Sequence, residues 1–295
     1  MLNDGLRQKP HSPCSEMKPA MTNHTIRVIA STARYNVIMT WRFFSWMGFA
    51  LRFATPLMTL GAAWILFNYV YKGIISAEFG TAIGSSGYLS FITIGNAFYV
   101  FTFAAAFVVG RVMFWERATG TIEATFMTPM SRLAYMAGIM LAAAINALVD
   151  FIAVFLIGLA FGFQITQFNT LLFVEGLLLT YFALFGIGLI ANAITLTFRD
   201  RVTTANTLQV LFMVFSGIVC PIEFMPVWAQ LIGKALPLTY GIRLTRASML
   251  NIGTADAPND ILMLILLGVV YFAVGAITLR LIERNLKKKA LFSVF

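Results

Sequence analysis

Six long apolar runs, separated by short polar segments, organise most of this chain. Most of these runs reach or exceed the roughly 20 residues that an α-helix needs to cross the hydrocarbon core of a bilayer. The pattern therefore predicts an all-α membrane protein with six transmembrane helices between residues 49 and 283. The predicted spans cover about residues 49–71, 88–112, 133–161, 171–198, 204–219 and 261–282.

Two different segments precede the first span. Residues 1–24 contain several prolines and no hydrophobic periodicity, which is typical of a disordered tail. Residues 25–48 mix bulky apolar residues with Arg27, Arg34 and Arg42. Because an arginine inside the bilayer is costly, this segment is interpreted as an amphipathic helix on the membrane surface and not as an early start of the first span.

A polar stretch at residues 116–132 separates the second and third predicted spans. Thr121 has the chemistry of a helix N-cap, and Pro129 cannot continue a helix, so the helix between them has only about two turns. Ile122 and Phe126 would share one face of it. A short capped helix with an apolar face, held between two spans, is suited to pressing against a partner outside the membrane.

Residues 221–246 are too interrupted for a single span and too apolar for a soluble loop. The interruptions are Pro221, Pro226 and Pro237. Irregular backbone at membrane depth must be covered by protein or line a cavity. We therefore predict two short re-entrant helices here, which dip into the outer face of the membrane and return.

Composition and charge support a membrane protein and fix its orientation. Apolar residues make up 59% of the chain and charged residues 11%, compared with about half and about a quarter in soluble proteins. With both termini cytoplasmic, 17 of the 21 Lys and Arg residues fall on the inner side, including those of a basic tail at residues 284–295. This asymmetry predicts a multi-pass protein of the cytoplasmic membrane and argues against nucleic acid as the reason for the +9 charge.

Sequence signals of catalysis are missing. No Gly-x-x-x-x-Gly-Lys-Ser/Thr phosphate loop occurs, and both histidines, His11 and His24, lie in the N-terminal tail. We therefore expect no enzyme activity and no metal site in this chain. Asp150 and Asn146, one helical turn apart in the third span, either line a transport path or join two helices by hydrogen bonds, and both interpretations stay open.

Two segments carry a family resemblance. The sequence ERATGTIE at residues 116–123, followed by TPMSR at residues 128–132, resembles the cytoplasmic loop of ABC-2-type transporter permeases. The sequences FSGI at residues 215–218 and LPLTY at residues 236–240 are similar to the segment between the fifth and sixth spans of that family. The resemblance implies a coupling helix that docks on a separate ATPase, re-entrant helices as an outer gate, and a connecting helix at residues 25–48.

The resemblance also implies a function. The chain would be the permease subunit of an ATP-driven exporter of the drug, lipid and polysaccharide group, moving a lipophilic or amphipathic molecule outward. Its partners would be two ATPase subunits, which bind ATP and Mg²⁺, a second permease chain, most often an identical one, and membrane lipid. A gradient-driven secondary transporter or channel is the alternative.

The implied site residues fall into three groups. The ATPase-docking residues of the coupling helix are Glu116, Gly120, Thr121, Ile122, Glu123, Phe126 and Pro129. The residues of the outer re-entrant gate are Pro221, Pro226, Trp228, Pro237 and Tyr240. The polar residues of a path or of a helix contact are Asn146 and Asp150.

Replacing Glu123 or Phe126 with a bulky residue of the wrong charge tests the coupling helix. We expect Glu123→Arg and Phe126→Arg to abolish transport while ATP hydrolysis by the partner continues, because the docking face would no longer fit its groove. Transport and ATP hydrolysis are measured together in proteoliposomes. Transport that survives both changes would show that this segment is not the docking helix.

Overall fold

A computed structural model describes residues 21–43, 46–70, 87–102, 131–198 and 201–292. Within these ranges the chain forms helices, turns and short loops and contains no strand. The predicted all-α class is therefore confirmed for this part of the chain.

The described residues form nine α-helices, with a π-helical turn, Leu66–Val70, after the second. Two 3₁₀ turns, Ile222–Phe224 and Thr254–Asp256, flank the seventh and eighth helices. In chain order the helices are α1 Met21–Phe43, α2 Trp46–Ile65, α3 Gly87–Thr102, α4 Arg132–Ala160, α5 Thr170–Phe198, α6 Arg201–Phe215, α7 Val227–Ala235, α8 Pro237–Leu250 and α9 Ala257–Phe292.

Among the described residues, three stretches are long and apolar enough to cross a membrane. They are Leu133–Ala160 in α4, Thr170–Ile194 in α5 and Thr254–Leu281, which runs into α9. A shorter apolar helical stretch, Pro56–Val70, lies in α2 and the turn that follows it. Length and composition therefore support a membrane protein with several apolar helices, as predicted.

Several helix ends differ from the predicted ones. The helix before the first span was predicted at residues 25–48, but it begins at Met21 and ends at Phe43. The next helix, α2, already begins at Trp46. Both ends of the first helix therefore lie earlier in the chain than predicted. The fifth apolar run ends its helix at Phe215, four residues before the predicted end. The cause is Gly217, whose φ of 73° is the left-handed conformation that commonly terminates helices.

The last helix is longer than predicted at its start. It begins at Ala257, whereas the apolar run predicted a start at residue 261. Pro258 is tolerated there because the first turn of a helix does not need its backbone N–H. The carboxylate of Asp260 also lies in this first turn, where the helix dipole favours a negative charge.

The centre of the bundle is α3, which packs against α2, α4 and α8. Most of its residues are buried, and the amide of Asn96 donates a hydrogen bond of 2.8 Å to the hydroxyl of Thr59 in α2. Aromatic rings fill the space toward α4, where Phe98 and Phe101 both contact Phe151 edge-on. Because α3 is enclosed by protein, its polar side chains can be satisfied without water.

The helices α5 and α9 are in close contact through their backbones. A Cβ atom added at Gly186 would lie 2.5 Å from the backbone nitrogen of Phe272 and 2.5 Å from the carbonyl carbon of Tyr271. One added at Gly275 would lie 2.7 Å from the carbonyl oxygen of Gly186. The two backbones are therefore in direct contact, in the way that small residues allow in membrane helices.

Gly186→Ala should lower the apparent melting temperature of the purified chain, because the new methyl group meets backbone atoms that cannot rotate away. Overpacking of this kind costs about 1–3 kcal/mol. The matched control is Gly61→Ala in α2, where the nearest atom is a side-chain carbon of Phe161 at 3.7 Å. The control should be neutral or stabilising, since alanine favours a helix by up to about 1 kcal/mol over glycine. Equal melting temperatures for both variants would contradict the close α5–α9 contact.

Candidate functional site

Residues 216–256, which we name the cap, lie at one end of the bundle. Loop 161–169, between α4 and α5, contacts the cap through the backbone N–H of Asn169, which donates to the carbonyl of Ser248 at 2.9 Å. The start of α3 meets the same loop, since the hydroxyl of Ser90 accepts from the backbone N–H of Gln164 at 3.1 Å. The cap therefore sits where α3 begins and α4 ends.

Prolines divide the cap into short helices, as the sequence predicted. Pro221 precedes the 3₁₀ turn, Pro226 precedes α7, and Pro237 is the first residue of α8. A proline fits the start of a helix because its missing N–H would have no partner there and its φ is already helical. Residues 221–246 thus form two helices that meet at a sharp break instead of one span.

Three hydroxyl groups hold the end of α7 at this break. A helix leaves its last carbonyls without intrahelical partners, and Pro237 offers no N–H to them. Thr239 donates to the carbonyl of residue 233 at 2.7 Å, while Tyr240 and Tyr271 donate to those of residues 234 and 235 at 2.9 Å each. The broken backbone is therefore satisfied by side chains without water.

The helix α8 lies inside the bundle and packs against α5, α9 and α3. Nearly all of its residues are buried, although several of them are polar. Gly241 and Leu244 face α5 directly, at Thr180 and Gly176 respectively. A short helix in this position can lie at membrane depth because protein surrounds it.

A buried guanidinium lies at the meeting point of three elements. Arg246 in α8 is 6% exposed. Its Nη1 donates to the carbonyl of Gly217 at 3.0 Å, and its Nη2 donates to the carbonyls of Phe91 at 3.2 Å and Ile218 at 3.4 Å. Its Cζ also lies 3.3 Å from the centre of the Phe91 ring. No carboxylate of the described residues forms an ion pair with it, so backbone carbonyls and an aromatic face hold the charge.

The fold explains why these carbonyls are available. Gly217 and Ile218 lie in the turn that follows α6, so their carbonyls have no partners within a helix and need other hydrogen-bond donors. At the same place α3 approaches very closely, since a Cβ added at Gly95 would collide with the carbonyl oxygen of Ile218. The turn after α6 is therefore pressed between α3 and the Arg246 side chain.

A second arginine connects α8 to α9. Nε of Arg243 lies 3.2 Å from a carboxylate oxygen of Asp260, and its Nη2 lies 3.4 Å from one of Asp256. Asp260 is buried, whereas Asp256 is exposed. The two arginines of α8 thus have different partners: Arg246 holds backbone carbonyls of α3 and the turn after α6, and Arg243 holds carboxylates around the start of α9.

A cavity of about 260 Å³ lies between these groups. Its lining includes Ser216, Glu223, Thr239, Asp256 and both arginines of α8. Both signs of charge are present, and the volume is below the roughly 300–1,000 Å³ of drug-sized ligand sites. Across the described ranges, no group of three His, Cys, Asp or Glu residues is arranged to hold a metal ion.

The predicted gate residues lie in different surroundings within the cap. Pro221 lines the cavity, and Tyr240 is buried and holds the end of α7. Trp228, in contrast, is 63% exposed and contacts Phe215 edge-on at 5.9 Å. The outward side of α7, which also carries exposed apolar residues, is typical of a helix at a membrane–water interface.

The predicted path residues lie in α4. The Asn146 amide donates to the carbonyl of Ala142 in its own helix at 3.0 Å, and Asp150 is half-buried one turn further on. The amide of Asn192 in α5 donates to the sulfur of Met136 in α4 at 3.7 Å, which joins these two helices.

The predicted coupling-helix residues, Glu116, Gly120, Thr121, Ile122, Glu123, Phe126 and Pro129, lie outside the described residues. The description resumes at Ser131, which caps α4 by accepting a hydrogen bond of 3.2 Å from the backbone N–H of Ala134.

Sequence reasoning missed the polar cluster formed by Arg243, Arg246 and Asp260. The signal was present, because two arginines stand three residues apart in an apolar segment and a charge buried there needs a partner. The sequence did not identify those partners, since the ones that hold Arg246 are backbone groups of distant residues.

The described residues form a helical bundle with several helices that are apolar enough to cross a membrane. A family model described as ABC-2 type transporter matches residues 25–250. This is more than half of the chain, so the chain belongs to the ABC-2 type transporter family, a family of transport permeases. A search of curated proteins finds no match.

A double-mutant cycle tests the link between α8 and α9. Arg243→Gln leaves the buried Asp260 carboxylate without its closest partner, so the apparent melting temperature should fall. The loss should be smaller than the about 3–5 kcal/mol of a fully buried pair, because Arg243 is 38% exposed. Arg243→Gln combined with Asp260→Asn should cost less than the sum of the single changes.

Asp256→Asn is the matched control for this cycle. The Asp256 side chain is 60% exposed, and an exposed ion pair contributes only about 0–1 kcal/mol. Strict additivity of Arg243→Gln and Asp260→Asn, or a larger loss from Asp256→Asn, would contradict the assigned pairing.

Proposed function

We propose that this chain is the transmembrane permease subunit of an ATP-driven exporter in the cytoplasmic membrane. It moves a lipophilic or amphipathic molecule, such as a drug, an antibiotic, a lipid or a glycolipid, outward. The observation that carries the proposal is the family match over residues 25–250. Further support comes from the arrangement of helix ends, charges and contacts in the described residues.

The proposal has six spans with both termini in the cytoplasm. Three spans are the long apolar helices α4, α5 and α9, and the other three are α2, α3 and α6. Support for the orientation comes from the ends of the bundle: α4 begins at Arg132, α6 begins at Arg201, and α9 ends beyond Lys287, all at the end opposite the cap. Lys and Arg at one end of a helical bundle favour the cytoplasmic side.

The energy comes from a separate ATPase, present in two copies, that binds ATP and Mg²⁺. The chain has no phosphate loop of its own, and its family is one of transport permeases. The coupling helix within residues 116–132 docks on the ATPase. Because α4 starts at Arg132, the last residue of that segment, a push on the coupling helix passes into α4.

The contact between α1 and α4 supports a shared movement. A Cβ added at Gly138, in the second turn of α4, would lie 2.7 Å from the Cβ of Thr32 and 2.8 Å from the carbonyl oxygen of Ile29. The helix α1 therefore lies directly on the N-terminal part of α4, which is the cytoplasmic part in this proposal. In this proposal α1 is the connecting helix, and it moves together with α4 when the ATPases close.

The opposite side of α1 is suited to the membrane surface. Arg27, Arg34 and Arg42 are exposed there, together with the aromatic residues Tyr35 and Trp41. Such side chains can reach lipid headgroups while their apolar parts remain at the interface. This pattern supports a helix that lies between the lipid surface and α4.

The cap is the outer gate in this proposal, and a second, identical chain completes the transport path. The path is lined by the first, second and fifth spans of both copies. A lipophilic cargo is favoured because the apolar runs are rich in phenylalanine, 28 in the chain, and contain few polar groups.

Co-purification tests the function. The chain is tagged and co-expressed with the ATPase encoded beside its gene. Purification through the tag should yield that ATPase in equal amounts. ATP turnover of the complex in lipid should change when one class of amphipathic compound is added. The matched control is Phe126→Arg, which should reduce co-purification without changing the yield of the chain. If no ATPase accompanies a well-folded chain, the proposal fails and a gradient-driven transporter becomes the better interpretation.

A further inference from the structure

We propose that Arg246 is the positioning residue that holds the cap closed, by clamping the turn at residues 216–218 onto α3. Opening of the cap then requires its hydrogen bonds to the carbonyls of this turn to break. The inference rests on the proposed function only in treating the cap as the outer gate. The clamp itself is a property of this chain and can be tested without a partner.

The geometry of the clamp is a contact of one side chain with three separate elements. Arg246 belongs to α8, the carbonyls of Gly217 and Ile218 belong to the turn after α6, and the carbonyl and ring of Phe91 belong to α3. The planar guanidinium presents its donors in a fixed arrangement. The three elements can therefore separate only if this group gives up several bonds at once.

The turn and α3 are packed closely against each other. Gly95 allows the carbonyl of Ile218 to approach the α3 backbone, and a side chain at residue 95 would collide with it. Within the turn, Gly217 has a φ of 73°, which glycine adopts without strain. The turn thus packs closely against α3 at Gly95. Its own Gly217 can change backbone angles when the turn moves away from α3.

The clamped arrangement is also incomplete, which makes release possible. Nε of Arg246 and the hydroxyl of Ser216 are buried and have no hydrogen-bond partner among the described residues. A buried polar group without a partner is destabilising. Both residues line the cavity of about 260 Å³, so water that enters as the turn moves away can satisfy them. Movement of the turn therefore exchanges bonds to carbonyls for bonds to water.

The other arginine of α8 does not have this role. Arg243 pairs with Asp256 and Asp260, so it holds α8 to the start of α9 and contacts neither α3 nor the turn after α6 through a described ion pair or hydrogen bond. Loss of Arg243 should loosen α8 against α9. Loss of Arg246 should release the turn.

The chain carries its own reporter for this turn. Cys220 is half-buried two residues after Ile218, and the other cysteine of the chain is Cys14. Burial, with a further contribution from Glu223, raises the pKa of the Cys220 thiol, while the Arg246 guanidinium lowers it. Removing Arg246 therefore reduces the thiolate fraction, and electrostatics alone would slow the reaction of Cys220 with a maleimide.

The experiment measures the rate at which a membrane-impermeant maleimide labels Cys220 in the full chain, reconstituted in lipid nanodiscs with Cys14→Ser. Arg246→Gln should raise the rate by about tenfold or more, the scale set by losing a hydrogen bond to a charged group. Arg246→Lys, which keeps the charge but not the planar fork, should give an intermediate rate. Rates are compared over a range of pH, so that the change in thiolate fraction is separated from the change in access.

Arg243→Gln is the matched control, since it removes a guanidinium from the same helix and the same cavity. It should lower the melting temperature and leave the labelling rate of Cys220 unchanged. An unchanged rate in Arg246→Gln, or an equal rise in Arg243→Gln, would overturn the proposal. If Arg246→Gln does not fold, Gly95→Ala serves instead: it displaces the turn without touching Arg246 and should raise the rate, and an unchanged rate there overturns the proposal as well.

A second measurement separates a gate from a purely structural contact. In the complex with its ATPase, trapping with ATP and vanadate should accelerate labelling in the Cys14→Ser chain, whereas Arg246→Gln should label fast with or without ATP. A rate that ATP changes equally in both would refute the gating role of the clamp. Failure to obtain the complex counts against the proposed function and leaves the labelling test of the single chain intact.

Discussion

Backbone polar groups must find partners inside the protein when a chain breaks its helices in a buried place, and this constraint decides the structure of the cap. The prolines that divide residues 221–246 release carbonyls at each break. Hydroxyls of Thr239, Tyr240 and Tyr271 donate to the carbonyls at the end of α7. Arg246 donates to carbonyls in the turn after α6. Polar side chains in an otherwise apolar segment therefore allow this irregular backbone to be buried in the bundle.

The bundle shows how such a segment can be accommodated. α3 and α8 are enclosed by other helices, and they carry polar residues that contact loop 161–169 and the turn after α6. α5 and α9, in contrast, are in contact through backbone at Gly186 and Gly275. The contact of α5 with α9 is thus held by close packing, whereas the cap is held by hydrogen bonds that water can replace. A rigid part beside a part that can open suits a family of transport permeases.

Much of the fold followed from the sequence, because apolar runs and prolines act locally. The runs located the long helices, and the three prolines correctly predicted two short helices in place of one span. The end of α6 was placed too late, since apolar residues continue past Gly217. The role of Arg246 was not predictable, because its acceptors are main-chain carbonyls more than 25 residues away, and a carbonyl gives no signature in the sequence.

The contact of α5 with α9 has a consequence for how the protein can change shape. At Gly186 and Gly275 the two helices touch through their main chains, so sliding or rolling at these positions meets backbone atoms that cannot rotate away. The helices α5 and α9 therefore move together as one rigid unit. Arg243 links α8 to the same pair of helices through Asp260, so α5, α8 and α9 are held together as one unit.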